Sequence, residues 1–402
     1  MTSDIWARLA DALARLPDYL GGHVRVSMTA LALGIALSIP LALVSLRRPA
    51  FRAIVLALSS VVQTIPGLAL LALFYPLLLG LAALSERTLG VSFSALGFLP
   101  AVLALALYSL LPVLRNAVTG LTGIDPAIQE AALGVGMTQR QSLWMVELPL
   151  ALPVIMAGVR TAAVWVIGTA TLSTPIGQTS LGNYIFAGLQ TQNWVFVLFG
   201  CVAAALLALV FDQLLALIES GLGARRRGRV ALGSLGVVLI VLAALVPGWT
   251  RPQARYLVGA KTFSEQYVLA ALIEQRLRAA GLTAARREGL GSTVALDALA
   301  NNEIDVYVDY TGTIWANELH RGDVKPRAEV LAEVGTWLEE RRRITLLGGL
   351  GFENAYALAM PKKRAEALGV RSIADLRPED VAFTWTARSL SPVLKTSVTS
   401  QR

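Results

Sequence analysis

Glu130-Ala131-Ala132-Leu133-Gly134-Val135-Gly136, continuing to Trp144-Met145-Val146-Glu147-Leu148-Pro149 and Pro153, sits between two apolar runs, 97–116 and 150–171. Each run is close to the ~20 residues a helix needs to cross a bilayer core. Ala and Leu favour helix before the turn, Gly136 permits a sharp backbone reversal, and a second short helix is expected to end before Pro149. The stretch therefore predicts two short helices in an exposed loop between membrane spans. On composition alone an ordinary amphipathic connector is the simpler reading; a compact knob for another protein to hold is the other.

Outward from this loop, apolar runs at 27–46, 53–83, 195–217 and 230–248 complete six candidate spans. The run 53–83 is too long for one straight span and contains Pro66-Gly67 and Pro76, which predicts a kinked or broken helix. Residues 4–20, with Ile5, Leu9, Leu13 and Leu16 among Asp4, Arg8, Asp11 and Arg15, read as an amphipathic surface helix rather than a cleaved signal. Arg47, Arg48 and Arg52, then Arg115 and Arg140, then Arg225, Arg226, Arg227 and Arg229 fall in alternate loops, whereas the loops around 84–96 and 172–194 hold only Arg87. Six crossings put the basic loops on one side, which the positive-inside rule makes cytoplasmic. The N-terminus and everything after about 249 are then expected outside a membrane that the chain crosses several times.

Composition agrees with this division. Of 402 residues, 55% are hydrophobic and 15% charged, against about 25% charged in ordinary globular domains. Residues 1–250 carry 14 Lys/Arg and 9 Asp/Glu; residues 251–402 carry 21 and 18. A lipid-embedded part therefore precedes a water-soluble one, which excludes a single soluble enzyme and a disordered chain. The formal charge of +8 sits in clusters beside apolar runs, so it points to membrane orientation and not to nucleic acid. The cysteine Cys201 and the histidines His23 and His320 make neither a disulfide framework nor a metal cluster.

From 255 the pattern is that of an α/β domain. Tyr256–Gly259 reads as a strand, 264–280 as a helix capped by Ser264, then come Gly289-Leu290-Gly291-Ser292-Thr293, a helix to Asn301, and a strand Ile304–Val308 entering Asp309-Tyr310-Thr311-Gly312-Thr313. Strands alternating with helices predict a parallel sheet, and ligands of such sheets bind beyond the strands' carboxyl ends. Lys261, Ser292, Tyr310 and Thr313 fall there. A quaternary ammonium needs aromatic faces and a carboxylate needs donors, so Tyr310 could supply a face and Lys261 and Thr313 the donors. The plainer alternative is that Tyr310 packs and Lys261 is solvated.

These strings carry a family resemblance. Glu130-Ala131-Ala132, then Gly136, then the Leu148-Pro149 ending resemble the coupling motif of permease subunits of bacterial ATP-binding-cassette (ABC) importers. Gln63-Thr64-Ile65-Pro66 and Gly177-Gln178-Thr179-Ser180-Leu181-Gly182 resemble the glycine betaine, carnitine and choline group. Gly259–Gln266, Asp309–Thr313 and Gly351–Leu358 resemble the substrate-binding proteins of the same importers. The resemblance implies a polytopic α-helical membrane domain of the type I ABC importer permease kind, followed by an α/β periplasmic-binding-protein-like domain. It implies that Glu130, Ala131, Ala132 and Gly136 contact a cytoplasmic ABC ATPase subunit, that two permease copies form a homodimer, and that Lys261, Tyr310, Thr313 and Tyr356 bind substrate. The chain contains no Gly-x-x-x-x-Gly-Lys-Ser/Thr loop, so ATP is expected to be used by the partner, with no cofactor in this chain and no catalysis of its own.

The expected organisation is an amphipathic segment 1–22, a permease domain 23–220, a basic loop with a sixth span and linker 221–254, a binding domain 255–382 and an aberrant tail 383–402. The second lobe of the binding domain is expected to be incomplete. Thr384-Trp385-Thr386-Ala387-Arg388 can be encoded by bases that, in a shifted frame, give the Leu-Asp-Arg-Glu of the family, so a frameshift near 383 is the expectation. The substrate class implied is a quaternary-ammonium osmoprotectant, with ergothioneine or another betaine-like zwitterion as alternative. A membrane ligand sensor is a further class, and a membrane-embedded enzyme built on Arg160, Asp212, Glu219 and Gln63 is disfavoured.

Overall fold

A computed structural model of the chain describes residues 2–91, 93–250, 255–352, 361–372 and 375. The tail 383–402 and Tyr356 lie outside the described residues. Six helices are long and apolar enough to cross a membrane. They belong to α1 (Thr2–Arg47), α3 (Gly67–Leu89), α4 (Phe98–Thr122), α7 (Leu148–Thr169), α9 (Trp194–Gly223) and α10 (Arg227–Thr250), with α2 (Pro49–Thr64), α5 (Pro126–Gly134), α6 (Gln139–Ser142) and α8 (Gly182–Gln190) between them. The N-terminal amphipathic segment is not a separate surface helix: α1 runs unbroken, and Ala12, Leu16 and Tyr19 join a cluster with Tyr184, Phe196 and Phe211.

The expected break in the second apolar run falls between α2 and α3, at Ile65-Pro66, while Pro76 stays inside α3. The Tyr108 hydroxyl donates to the Ile65 carbonyl and Gln63 Nε2 donates to the Tyr108 carbonyl at 3.1 Å, so α4 pins the break. At the far end of α7 a 3₁₀ turn (Ala170–Ile176) leads to Gly177, whose φ of +83° suits glycine. Buried His23 ties that turn to α1, with Nε2 donating to the Ile167 carbonyl at 3.0 Å and Nδ1 accepting the Leu181 N–H at 3.3 Å.

Beyond residue 254, β1 (Tyr256–Lys261), α11 (Ser264–Ala279), β2 (Ala284–Leu290), α12 (Ser292–Ala300), β3 (Val306–Tyr307), α13 (Thr311–Asn317) and α14 (Arg327–Trp337) form a three-layered lobe. The sheet is parallel in the order β2-β1-β3, with Val258 opposite Arg286 and Gly259 opposite Tyr307. Two readings need correction. Ser264 is not the N-cap of α11; Phe263 occupies that position, and the Ser264 hydroxyl donates to the Gln190 carbonyl at 2.6 Å. Strand β2 has no counterpart in the sequence reading because Arg286, Arg287 and Glu288 break its apolar pattern. They are accommodated by pairing, Arg286 with Glu274 at 2.7 Å and with Glu288 at 2.6 Å. Residues from 347 onward form a separate unit, in which α15 (Lys362–Leu368) ends at Gly369 with φ of +68°.

Candidate functional site

Two sites lie at opposite ends of α7. The first is the elbow before it. Pro126 follows Asp125, whose side chain accepts the Ala127 N–H at 2.9 Å, which starts α5. Gly136, at φ +86°, turns the chain, and Met137 N–H closes back on the Ala132 carbonyl at 3.1 Å. Thr138 and Gln141 form a capping box that starts α6. The second short helix does not end before Pro149. It continues through a π turn (Leu143–Glu147) directly into α7, because Leu148 N–H bonds the Leu143 carbonyl, five residues back, and Pro149 then sits in the first turn where its missing donor matters little. Glu147 binds the elbow together, accepting from Ser142 Oγ at 2.9 Å and Gln129 Nε2 at 3.4 Å.

Glu130, Ala131 and Gly136 are exposed, whereas Ala132 is buried. Ala132 thus lets the elbow close and is not itself on the surface. Leu133, Val135, Trp144 and Met145 are apolar and 49%, 75%, 55% and 66% exposed. These four apolar side chains are exposed on an elbow that also carries the exposed Glu130 and Arg140.

The second site is at the carboxyl ends of the strands. Lys261 ends β1 fully buried, and its ammonium is paired with Asp309, whose side chain is 10% exposed. Asp309 Oδ2 also accepts from Tyr307 Oη at 2.6 Å, and Oδ1 from the Tyr310 N–H at 2.7 Å. Burial, then the Asp309 charge, push the Tyr307 hydroxyl well above its ordinary range. Lys261 is therefore not a solvated group; its ammonium is paired with Asp309. A small pocket is lined by Ser292, Thr293, Asp309, Thr313, Asn317 and Glu318. Of the expected residues, the structure brings Ser292 and Thr313 to this pocket, Lys261 only behind Asp309, and Tyr310 beside it, with its hydroxyl donating to Glu265 Oε1 at 2.6 Å. Phe263, 43% exposed, lies with its ring centroid 5.9 Å from Lys261 Nζ. Sequence reasoning missed Asp309 and Glu265 as members of the site. Asp309 heads the Asp-Tyr-Thr-Gly-Thr string at a strand end, the one signal that could have found it.

The lobe rests on the end of the bundle where α7 finishes. Leu290, Ala295 and Ile304 share a cluster with Tyr75, Leu78 and Leu96. Tyr75 Oη donates to Asp297 Oδ2 at 3.0 Å and Ala95 N–H to Glu303 Oε1 at 3.0 Å. A Cβ on Gly289 would come within 3.0 Å of Thr174, so the contact is close.

A helical bundle thus carries an exposed elbow at one end of α7 and, seated at the other end, a lobe with a strand-end pocket. Residues 34–224 match the family described as binding-protein-dependent transport system inner membrane component. Residues 255–398 match the substrate binding domain of ABC-type glycine betaine transport system, so the likeness runs past 382, where the sequence reading ended it. Choline transport system permease protein OpuBB of Bacillus subtilis (strain 168) is 39% identical over 197 residues, 49% of this chain and 83% of that protein. Glycine betaine/carnitine/choline transport system permease protein OpuCB of the same organism is 39% identical over 199 residues, 50% of this chain and 84% of that protein. Ergothioneine transport permease/ergothioneine binding protein EgtU of Helicobacter pylori (strain G27) is 28% identical over 351 residues, 84% of this chain and 60% of that protein. The chain belongs to the binding-protein-dependent ABC importer permeases, as a multi-pass membrane protein fused to a substrate-binding domain of the glycine betaine type.

Proposed function

We propose that this chain is the permease and receptor subunit of an importer for quaternary-ammonium osmoprotectants such as glycine betaine, carnitine and choline. The observation that carries the reading is the joining, in one chain, of a permease 39% identical to choline and glycine betaine/carnitine/choline permeases with a domain of the glycine betaine binding family. The chemistry of the site is compatible: Phe263 and Tyr310 place aromatic rings at the strand ends, and aromatic faces are what a cationic head that cannot donate hydrogen bonds requires. Energy comes from a cytoplasmic ABC ATPase gripping the elbow through Glu130, Ala131 and Gly136, and two copies of the permease make the path. The basic loops lie in the cytoplasm, with the N-terminus and the lobe outside.

Ergothioneine is the second reading, favoured by the likeness to EgtU across both parts of the chain. Calorimetry on the purified full chain with glycine betaine, choline, carnitine and ergothioneine separates them. Heat with the first three and none with ergothioneine supports the leading reading; the reverse supports the second. A sensor that does not transport would purify without an ATPase, and copurification of one decides against it.

A further inference from the structure

We propose that Ser264 is a positioning residue of the strand-end pocket, and that the permease acts on the pocket through it. The turn between α8 and α9 holds the first turn of α11, and with it the contact between Glu265 and Tyr310. This rests on the receptor reading above. Helix α11 starts without help from its own cap, since Phe263 makes no side-chain bond to the open N–H groups. The hydroxyl of Ser264 is committed elsewhere, to the Gln190 carbonyl at the end of α8, at 2.6 Å. Glu265, the next residue, accepts from the Tyr310 hydroxyl at 2.6 Å, and the Tyr310 N–H is held by Asp309 Oδ1 at 2.7 Å. Adjacent residues of one helical turn therefore join the bundle to an aromatic ring beside the pocket.

The bundle side of this bond is stiff. Carbonyls in the last turn of a helix find no partner inside it, and Ser264 supplies a donor to that of Gln190. Thr191 bonds back to the Ala187 carbonyl twice, through its N–H at 2.9 Å and its hydroxyl at 2.7 Å. The Asn193 N–H reaches the Gly188 carbonyl at 2.8 Å, and Asn193 Oδ1 accepts the Phe196 N–H at 3.4 Å and so starts α9. Between them Gln192 takes φ of +53°, a left-handed conformation uncommon outside glycine. A Cβ on Gly188 would meet Val197 at 2.7 Å, so α8 and α9 pack without slack. A shift of α9, one of the helices long and apolar enough to span a membrane, therefore carries Gln190 with it. Ser264 follows or lets go, and in either case Glu265 and the Tyr310 ring move. The arrangement described here holds the ring in place for a ligand; rearranging α8 and α9 withdraws it and weakens the ligand's hold. By reciprocity, ligand in the pocket favours the present α8–α9 turn.

The test uses the full chain in lipid nanodiscs with fluorinated tyrosine, the Tyr310 fluorine resonance being assigned by its loss in Tyr310→Phe. Ser264→Ala is expected to shift that resonance without ligand and to weaken glycine betaine binding, by calorimetry, about two- to tenfold, the range of one net hydrogen bond. Ser264→Thr restores the donor and is expected to return both readings to wild type. On the permease side, Asn193→Ala removes the cap of α9 and is expected to move the same resonance in the same direction, and Asn193→Asp to restore it. In a chain that already carries Ser264→Ala, Asn193→Ala is expected to add nothing. A Tyr310 resonance unmoved by Ser264→Ala, or moved alike by Ser264→Thr, overturns the positioning role. A resonance that ignores Asn193→Ala, or one that Asn193→Ala still moves in full without the Ser264 hydroxyl, overturns the permease's part in it. A wild-type chain that gives no heat with glycine betaine, choline, carnitine or ergothioneine sinks the receptor reading instead, and the ligand-free resonance still decides the role of Ser264.

Discussion

Lys261 and Asp309 show what a strand end conceals. Lys261 is buried and Asp309 nearly so, on neighbouring segments of the sheet that are distant in sequence. A lysine after an apolar strand is visible in the sequence; that a carboxylate 48 residues later closes over it is not. Removing one member of a buried pair strands the other charge, at a cost of about 3–5 kcal/mol. Lys261→Met is therefore expected to destabilise the lobe by about that much in chemical denaturation, and adding Asp309→Asn to recover a good part of it. A Lys261 whose work was to touch substrate would instead lose ligand affinity with stability intact. Tyr307 adds a pH dependence. Its hydroxyl is held above its usual value by burial and by Asp309, so its contribution to stability is complete below about pH 10, the value of an unfolded tyrosine, and declines as pH rises beyond it. Tyr307→Phe should remove that alkaline limb of the melting curve and lower stability at neutral pH by about 1.5–3 kcal/mol, the worth of a hydrogen bond to a charged group.

The elbow was legible as an element and misread at one boundary. Glu130-Ala131-Ala132 and Gly136 predicted helix, turn and helix, and the turn falls at Gly136 as read. Pro149 suggested a stop, since proline removes a donor and crowds the preceding turn. The π turn at Leu143–Glu147 shifts the hydrogen-bond register so that the proline is absorbed, and no local pattern announces that. Strand β2 was lost for a related reason: its charges are satisfied by Glu274 and Glu303, both outside the strand. At Gly136 a Cβ would meet nothing within 4 Å, so only the backbone conformation constrains the position. Asparagine tolerates positive φ and a β-branched residue does not, by about 1–2 kcal/mol. Gly136→Asn is expected to keep ATPase copurification near wild type and Gly136→Val to lose most of it, with membrane insertion unchanged in both. Equal retention by the two variants would show that the turn does not shape the ATPase contact.

At the level of the whole molecule, the split between an oily part and a charged part was plain in composition, whereas the seat of the lobe on the bundle was not, because it joins residues as far apart as Tyr75 and Asp297. Asp297 is the junction. It accepts from Tyr75 of α3 at 3.0 Å and from Arg342 Nη1 at 3.1 Å, and Arg342 Nη2 reaches Glu318, which lines the strand-end pocket, at 3.4 Å. An unbroken polar chain thus runs from pocket to permease. Tyr75→Phe keeps the ring among Leu78, Leu96 and Leu290 and removes only the hydroxyl. Loss of a hydrogen bond to a carboxylate, about 1.5–3 kcal/mol, should raise the undocked fraction of the lobe by roughly ten- to a hundredfold, read as faster hydrogen exchange across α12. Linkage then sets a second result that a merely local defect would not produce. If ligand tightens docking by some factor, docking tightens ligand by the same factor. So Tyr75→Phe, far from the pocket, should weaken ligand binding to the full chain by no more than the factor by which ligand strengthens docking in the wild type. Unaltered exchange in α12 would mean that the apolar cluster alone holds the lobe, and the polar chain would then carry no signal between pocket and permease.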